Sequence, residues 1–185
     1  PDTIENFGTL SGNVDLGAGA NSIHNRANAT FAPGASVVVG NGRTLENAGT
    51  LSPGGLGKVQ ETALTGDLQQ TSTGILAMDV SLASAARDRL AVSGTAQLAG
   101  GLRINPVDTG YAKPGSFRRG MLAADGGISN GGLRIAASPS GVVNYRLTTL
   151  NANELAVDLD VDFAPSQLSS NGGRLGRYVN ALQSA

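Results

Sequence analysis

The sequence predicts an all-β fold in which short strands stack as a parallel β-helix, closed by an antiparallel hairpin and followed by a short helix. Three observations support this prediction. A motif recurs with a period near twenty, apolar runs are short and separated by turn dipeptides, and the composition is rich in Gly but poor in aromatic residues. A fold of many short strands joined by frequent turns explains all three observations.

The repeat is clearest where residues 45–55 (LENAGTLSPGG) restate residues 4–12 (IENFGTLSG). Residues 23–27 (IHNRA) share the same apolar-x-Asn opening. The three openings begin at Ile4, Ile23 and Leu45, which are 19 and 22 residues apart. One such coil cannot bury its own inward face, whereas a stack of coils about 4.8 Å apart can.

Each opening places an Asn two residues after its apolar residue. These residues are Asn6, Asn25 and Asn47. We expect the apolar residues to stack inward and the asparagines to lie at a turn, with left-handed backbone and bonds to the coils above and below. Pro33-Gly34 and Asn41-Gly42 are further predicted turns.

Composition excludes several other classes. With 4% aromatic residues and no Trp, a core must be aliphatic, and with a net charge of −1 and scattered cations no nucleic-acid partner is expected. No apolar run could span a membrane as a helix, and the first residues do not form a signal peptide. Because the chain begins inside a repeat, we expect it to be an excised part of a longer protein.

Better-defined strands follow residue 55. Residues 89–104 contain three alternating pieces separated by Ser93-Gly94 and Gly100-Gly101, as three faces of one coil would. Residues 105–120 are polar with two prolines, which predicts a loop that leaves the coil before residues 121–124 resume it. The predicted inward ladder has eight members. They are Leu76, Met78, Val80, Leu90, Val92, Leu98, Leu102 and Ile104.

The end of the sequence changes period twice. Residues 142–150 and 154–163 alternate around an Asn151-Ala152-Asn153 turn, which predicts an antiparallel capping hairpin. The residues expected to carry the cap are Tyr145, Leu147, Val157 and Leu159. Beyond Pro165, apolar residues fall at helical spacing, with an N-cap between Ser169 and Asn171. That amphipathic helix carries Leu175, Tyr178, Val179 and Leu182, and has no evident partner.

In combination, these segments resemble the C-terminal part of a bacterial autotransporter (type V secretion) passenger. The matching segments are 49–55 (GTLSPGG), 66–80 (GDLQQTSTGILAMDV), 88–104 (DRLAVSGTAQLAGGLRI), 117–129 (FRRGMLAADGGIS), 145–147, 155–163 and 168–182. The Gly172-Gly173 pair departs from the family's usual pattern at the helix start.

The resemblance implies a right-handed β-helix in three parts: coils over 1–63, terminal coils and an autochaperone-like cap over 64–163, and a linker and helix over 164–185. It also implies a monomeric, non-enzymatic stalk and folding nucleus at a Gram-negative cell surface, or secreted through the periplasm. Its partner would be the protein's own outer-membrane β-barrel, absent from this chain. A host or other cell surface is a second expected partner.

The strongest candidates for chemistry are Asp158, Asp160 and Asp162, which alternate with apolar residues on one strand. Carboxylate clusters in extracellular β-helix enzymes bind Ca²⁺ or perform acid/base work, and such an enzyme is one alternative function. The other interpretation is a solvated strand face that discourages edge association. An adhesin that binds through its coils is a further alternative, although few aromatic residues are present to stack on sugars.

The remaining motifs favour structural roles. His24, the only histidine, occupies the repeat slot of Glu5 and Glu46, which predicts an outward side chain rather than a Ser-His-Asp triad. Residues 54–58 lack P-loop spacing and predict a turn. The glycosylation sequon at 28–30 carries little weight, because such triplets are frequent by chance. At Arg118-Arg119, a solvated turn is a simpler interpretation than a protease site. We therefore assign no catalytic, cofactor-binding or metal residues and expect no cofactor.

Overall fold

A computed structural model describes residues 1–108, 110–136 and 140–184. The described residues form mainly β-strands and one C-terminal helix, α1 (Ser170–Ser184). The strands, in chain order, are β1 (Thr3–Asn6), β2 (Thr9–Asp15), β3 (Ser22–Asn25), β4 (Thr30–Val38), β5 (Thr44–Asn47), β6 (Thr50–Leu51), β7 (Glu61–Thr65), β8 (Asp67–Gln70), β9 (Ile75–Ser81), β10 (Arg89–Val92), β11 (Ala96–Leu98), β12 (Gly101–Val107), β13 (Gly115–Ala124), β14 (Ile128–Asn130), β15 (Arg134–Ile135), β16 (Val143–Asn151) and β17 (Glu154–Val161).

The first sheet is parallel and consists of short strands in the order β1-β3-β5-β8-β11-β14. Its register stacks the predicted repeat openings directly, with Ile4 opposite Ile23 and Ile23 opposite Leu45. The stack continues through Leu68, Ala96 and Ile128. The repeat in the sequence is therefore a repeat in space.

The second sheet is mixed and branches at β4. The first part of β4 pairs with β6, and a parallel run continues through β9, β12 and β15. The second part of β4 pairs with β7, and that run continues through β10 and β13. There the direction changes, because β17 and then β16 add in antiparallel fashion. β2 lies beside β4 along most of its length.

The core between these strand runs is aliphatic, as the composition predicts. All eight residues of the predicted inward ladder are buried, and so are Val157 and Leu159 of the hairpin. Tyr145 and Leu147 are half-buried and pack against the same core. Phe31 is the one aromatic side chain among the described residues that is fully buried.

Close approach of neighbouring strand connections explains Gly49 of the repeated motif and the later Gly74, whereas a Cβ at Gly8 would meet nothing within 4 Å. A Cβ at Gly49 would clash with the backbone carbonyls of Arg26 and Ala29, and a Cβ at Gly74 with the carbonyl of Asn47. The corner between the two sheets therefore admits no side chain at these positions.

Several sequence predictions were wrong in detail. Pro33-Gly34 lies inside β4, where these residues continue the strand rather than turn it. β12 extends to Val107 and β13 begins at Gly115, so the irregular segment between them is shorter than the predicted 105–120 loop. Arg118-Arg119 is strand rather than loop or turn, because it pairs with β17. Thr109 of that loop and Ala185 of the last segment lie outside the described residues.

Other local predictions are confirmed. Asn41-Gly42 forms a turn with Gly42 at φ 65°, and residues 89–104 form β10, β11 and β12 on three different strand runs. The hairpin pairs β16 with β17 around residues 151–153. Ser169 caps α1, because its Oγ accepts a hydrogen bond from the Gly172 N–H at 3.2 Å.

Helix α1 contacts the end of β17 through small and polar residues. Gly176 lies against the Phe163 carbonyl, where a Cβ would clash. Asn180 donates to Asp162 Oδ1 at 2.9 Å and accepts from the Phe163 N–H at 3.0 Å. Its predicted apolar stripe is largely exposed, with Leu175 at 65%. In the described part of the chain, no helix has the length and apolar character needed to cross a membrane.

The inward ladder generates a stability prediction. Val92→Asp places an unpaired carboxylate at a position that is 2% exposed, and should lower the free energy of unfolding by about 3–5 kcal/mol. Ala91→Asp, on the exposed face of the same strand, should cost less than about 1 kcal/mol. Urea denaturation measures both variants. Equal losses would contradict the inward assignment of Val92.

Candidate functional site

A groove of about 500 Å³ lies where β13, β17 and β16 run side by side. The register places its residues in three cross-strand rows. The rows are Ser116-Asp160-Asn144, Phe117-Leu159-Tyr145 and Arg118-Asp158-Arg146. The groove therefore contains two of the three carboxylates that the sequence singles out.

Asp158 is held between two arginines. Arg118 Nε donates to Oδ1 at 2.6 Å, and Arg146 Nη2 donates to Oδ2 at 2.8 Å. Thr148 Oγ1 donates to Oδ2 at 2.9 Å. The hydrogen bond from Arg118, followed by that from Thr148, holds the pKa of Asp158 well below its usual range. Its carboxylate stays ionised and paired, which suits a cross-strand clamp and not a proton donor.

The other two carboxylates have separate partners. Asp160 accepts a hydrogen bond from Ser116 Oγ at 2.8 Å. Asp162 accepts from Asn180 Nδ2 and from the Ala164 N–H, and these bonds lower its pKa. Each aspartate thus stabilises a different contact: Asp158 all three strands, Asp160 the β13–β17 pair and Asp162 the docked helix. The arrangement does not direct the three carboxylates at one bound group.

His24 lies on the outer face of the first sheet, in register with Glu5 and Glu46 as the repeat predicts. Its Nδ1 is 3.3 Å from Glu46 Oε2, and the side chain is 26% exposed. No serine or aspartate side chain bonds to it among the described residues, so no triad is assembled there. Residues 54–58 form a turn in which Gly54 and Gly55 have positive φ.

A ladder of buried side-chain amides runs through the first sheet. Asn6 Nδ2 donates to Asn25 Oδ1 at 2.8 Å, and Asn25 Nδ2 donates to Asn47 Oδ1 at 2.8 Å. Asn47 Nδ2 then donates to Gln70 Oε1 at 3.3 Å. These four residues, which we call the amide ladder, are each at most 7% exposed.

Each amide of the ladder also donates to a backbone carbonyl of the adjoining strand run. The acceptors are Thr30, Thr50, Ile75 and Gly101 for Asn6, Asn25, Asn47 and Gln70 respectively. These acceptors lie opposite one another in the second sheet. The amide ladder thus joins the two sheets at one corner. Its bonds between successive strands of the first sheet confirm the prediction that each Asn bonds its neighbours above and below.

The predicted backbone at the asparagines was wrong. Asn6, Asn25 and Asn47 end strands of the first sheet, and none has positive φ. Sequence reasoning also missed Gln70 as the last rung, although residues 67–70 (DLQQ) repeat the apolar-x-amide spacing. At the next rung Leu98 stands in the strand, and Gln70 Nε2 donates instead to the Ala99 and Gly101 carbonyls.

A buried carboxyl pair was also missed. Asp88 is 0% exposed and accepts from the Gln60 N–H at 2.7 Å and from the Asp79 N–H at 2.8 Å. Asp79 is 1% exposed and accepts from Asn105 Nδ2. Burial, only partly offset by the two backbone donors, raises the pKa of Asp88 to about 7. The sequence gives no signal for this pair, because its members lie nine residues apart around an irregular loop.

No group of three or more potential ligands in the described residues could hold a metal ion. The sequence matches no protein-family model and no curated protein.

The amide ladder generates a second prediction. Asn25→Ala removes the side-chain acceptor of Asn6 Nδ2 and the donor to Asn47 Oδ1, and both of these atoms belong to buried residues. The variant should lose about 2–4 kcal/mol of unfolding free energy. His24→Ala, at the adjacent outward position, should cost less than about 1 kcal/mol. Urea denaturation again distinguishes the two variants. A cost for Asn25→Ala no larger than that for His24→Ala would show that the ladder does not stabilise the fold.

Asp88 generates a pH prediction. Because its pKa is raised in the folded state, the folded chain holds a proton that the unfolded chain releases near pH 4. The stabilisation is complete below about pH 4 and is lost as the pH rises towards 7. Asp88→Asn should remove this slope, although its amide cannot accept both backbone bonds and absolute stability should fall.

Urea midpoints measured between pH 4 and 7 test this prediction. Asp158→Asn is the control, because a lowered pKa makes Asp158 stabilising above its unfolded pKa, and that contribution is lost only at more acidic pH. The control should keep the wild-type slope between pH 4 and 7. An unchanged slope in Asp88→Asn would contradict the assignment.

Proposed function

We propose that the chain is the stalk and folding nucleus of a secreted autotransporter passenger, built as a right-handed parallel β-helix. Support comes first from the pairing in the first sheet. Partners in successive strands are separated by 19, 22, 23, 28 and 32 residues, from Ile4 through to Ile128. Each return of the chain also adds to the second sheet, as successive coils of a solenoid do.

The observation that carries the proposed folding role is the change from parallel to antiparallel pairing after β13. The hairpin of β16 and β17 joins residues close in sequence, whereas the β13–β17 pairing that docks it spans 31 to 46 residues. Contacts of short sequence separation form with little loop entropy, whereas each parallel coil and the β13–β17 pairing must close a loop of about twenty residues or more. The β16–β17 hairpin is thus the part best suited to fold first, and it then offers β17 as the template on which β13 pairs.

The three expected segments take their roles from this arrangement. Residues 64–163 would fold as the autochaperone, and residues 1–63 would add coil by coil, each using the edge of the coil already formed. Residues 164–185 would link this unit to an outer-membrane barrel elsewhere in the protein. The chain would act at, or be released from, a Gram-negative cell surface, as a monomer without enzymatic activity.

A binding function is the second candidate, favoured by the groove beside Asp158. Asp160, Asn144 and the two arginines offer polar groups there, whereas Phe117 and Tyr145 of the middle row pack against the core. Incubation with acidic polysaccharides tests it: saturable binding would favour an adhesin, and unsaturated products would favour a polysaccharide-active enzyme. Neither result is expected from a stalk.

Folding kinetics test the proposed nucleus. Leu159→Ala in the hairpin and Leu45→Ala in the early coils both truncate leucines that are at most 2% exposed, and each should cost about 2–5 kcal/mol. If residues 64–163 form the nucleus, Leu159→Ala should mainly slow folding, with a φ-value above about 0.5. Leu45→Ala should mainly speed unfolding, with a φ-value below about 0.3.

Stopped-flow folding and unfolding in urea measures both φ-values on the full chain. The matched residue type and burial make the comparison direct. A high φ-value at Leu45 together with a low one at Leu159 would place the nucleus in the early coils and contradict the proposal.

A further inference from the structure

A second, smaller pocket of about 190 Å³ lies beside β13 and shares one lining residue, Phe117, with the groove around Asp158. One wall is the loop of residues 82–85, and the other consists of Lys113, Phe117 and Arg119. We call it the basic pocket. It combines two cations with apolar surface from Leu82, Ala83, Ala85 and the Phe117 ring.

Arg119 is fixed in this pocket by backbone carbonyls and not by a carboxylate. Its Nη2 donates to the Ser84 carbonyl at 2.9 Å and its Nη1 to the Arg118 carbonyl at 3.2 Å. The guanidinium carbon lies 5.2 Å from the centre of the Phe117 ring. Its Nε is buried and has no hydrogen-bond partner among the described residues. Each Nη nitrogen carries a second N–H that these two bonds do not use, so donor capacity and charge are left over.

The surrounding charges add to this surplus. Burial, followed by the charge of nearby Arg87, lowers the pKa of Arg119. The Nε of Arg87 donates to the Gly120 carbonyl at 3.0 Å. In the described part of the chain, no carboxylate forms an ion pair with Arg87, Lys113 or Arg119. Arg118, the residue next to Arg119, differs from these three cations because it forms an ion pair with Asp158.

The loop wall is already saturated with its own hydrogen bonds. Ser81 Oγ accepts from the Ala83 and Ser84 N–H groups, and Ser84 Oγ accepts from the Ala86 N–H. The Lys113 N–H donates to the Leu82 carbonyl at 3.0 Å. The pocket is thus held in shape, and what it offers a ligand is positive charge on apolar walls.

We propose that the basic pocket binds a small organic carboxylate. A guanidinium presents forked donors that match a carboxylate, and an adjacent ammonium adds charge. The apolar walls and the Phe117 ring suit a ligand whose anionic end is attached to a small apolar body. Inorganic anions satisfy only the first of these two requirements.

Titration of the full chain with benzoate tests the proposal, at constant ionic strength with chloride exchanged for ligand. NMR signals of the Arg119 Nε–Hε group and of the Ser84 amide should shift and saturate together. Benzamide, the neutral analogue, should not saturate them, and inorganic phosphate should bind at least tenfold more weakly than benzoate. Absence of saturable benzoate binding, equal binding of benzamide, or tighter binding of phosphate would each overturn the proposal.

Variants locate the site. Arg119→Gln should weaken benzoate binding at least tenfold, whereas Arg43→Gln, which removes one charge from an exposed turn, should leave it unchanged. Lys113→Gln alters an exposed side chain and should also weaken binding, so it serves if Arg119→Gln does not fold. Benzoate binding that is equal in wild type and Lys113→Gln, or that is lost in Arg43→Gln, would contradict this location.

Discussion

The rest of the structure depends on one constraint, the exact stacking of buried side-chain amides at the corner between the two sheets. Each amide needs an oxygen acceptor beside the next strand of the first sheet and a carbonyl from the adjoining strand run, and a buried amide without them costs about 1–3 kcal/mol. Asn25 satisfies both needs only when Asn47 and Thr50 lie directly beside it. A slip of one residue in any strand would break several bonds at once, so the amide ladder fixes register where short strands alone would not.

The same constraint explains why the stacking of the first sheet changes after β8. Gln70 is the last rung, and its longer side chain reaches backbone carbonyls where Leu98 replaces an amide. Beyond that point the register is set by the aliphatic core and by longer strands such as β12 and β13. The hairpin then ends the parallel run, and the paired Asp158 holds its strands together on the outer face.

Much of this architecture could be predicted from the sequence because the repeat is physical. The same inward position is filled by Ile4, Ile23 and Leu45, so the sequence repeats where the structure does. The alternation in β16 and β17 has the period of two that is typical of β-strands. Pro33-Gly34 was misread because a turn dipeptide on its own says nothing of the neighbouring strands, and β4 passes this point with a bulge against β2 rather than a turn. The partners of the candidate carboxylates were invisible for a similar reason. Arg118 lies 40 residues from Asp158, and only the antiparallel register brings them together.

The buried carboxyl pair and the basic pocket could not be predicted from local sequence pattern. Asp88 has no sequence signature, since its environment is created by β7, β9 and an irregular loop that meet in space. The surplus charge of the basic pocket is likewise a property of three separate segments. What sequence periodicity predicts well is the repeated part of the fold, and what it misses are the places where the chain departs from its repeat.

The most direct test of the account is the hydrogen exchange of the side-chain amides of Asn6, Asn25, Asn47 and Gln70 in the intact chain. If the amide ladder is continuous, the Nδ2 protons of Asn25 and Asn47 should exchange orders of magnitude more slowly than those of the exposed Asn41, and should show contacts to the neighbouring rungs. Exchange as fast as that of Asn41 would mean that the amides are bonded to water, and that no amide ladder joins the successive strands of the first sheet.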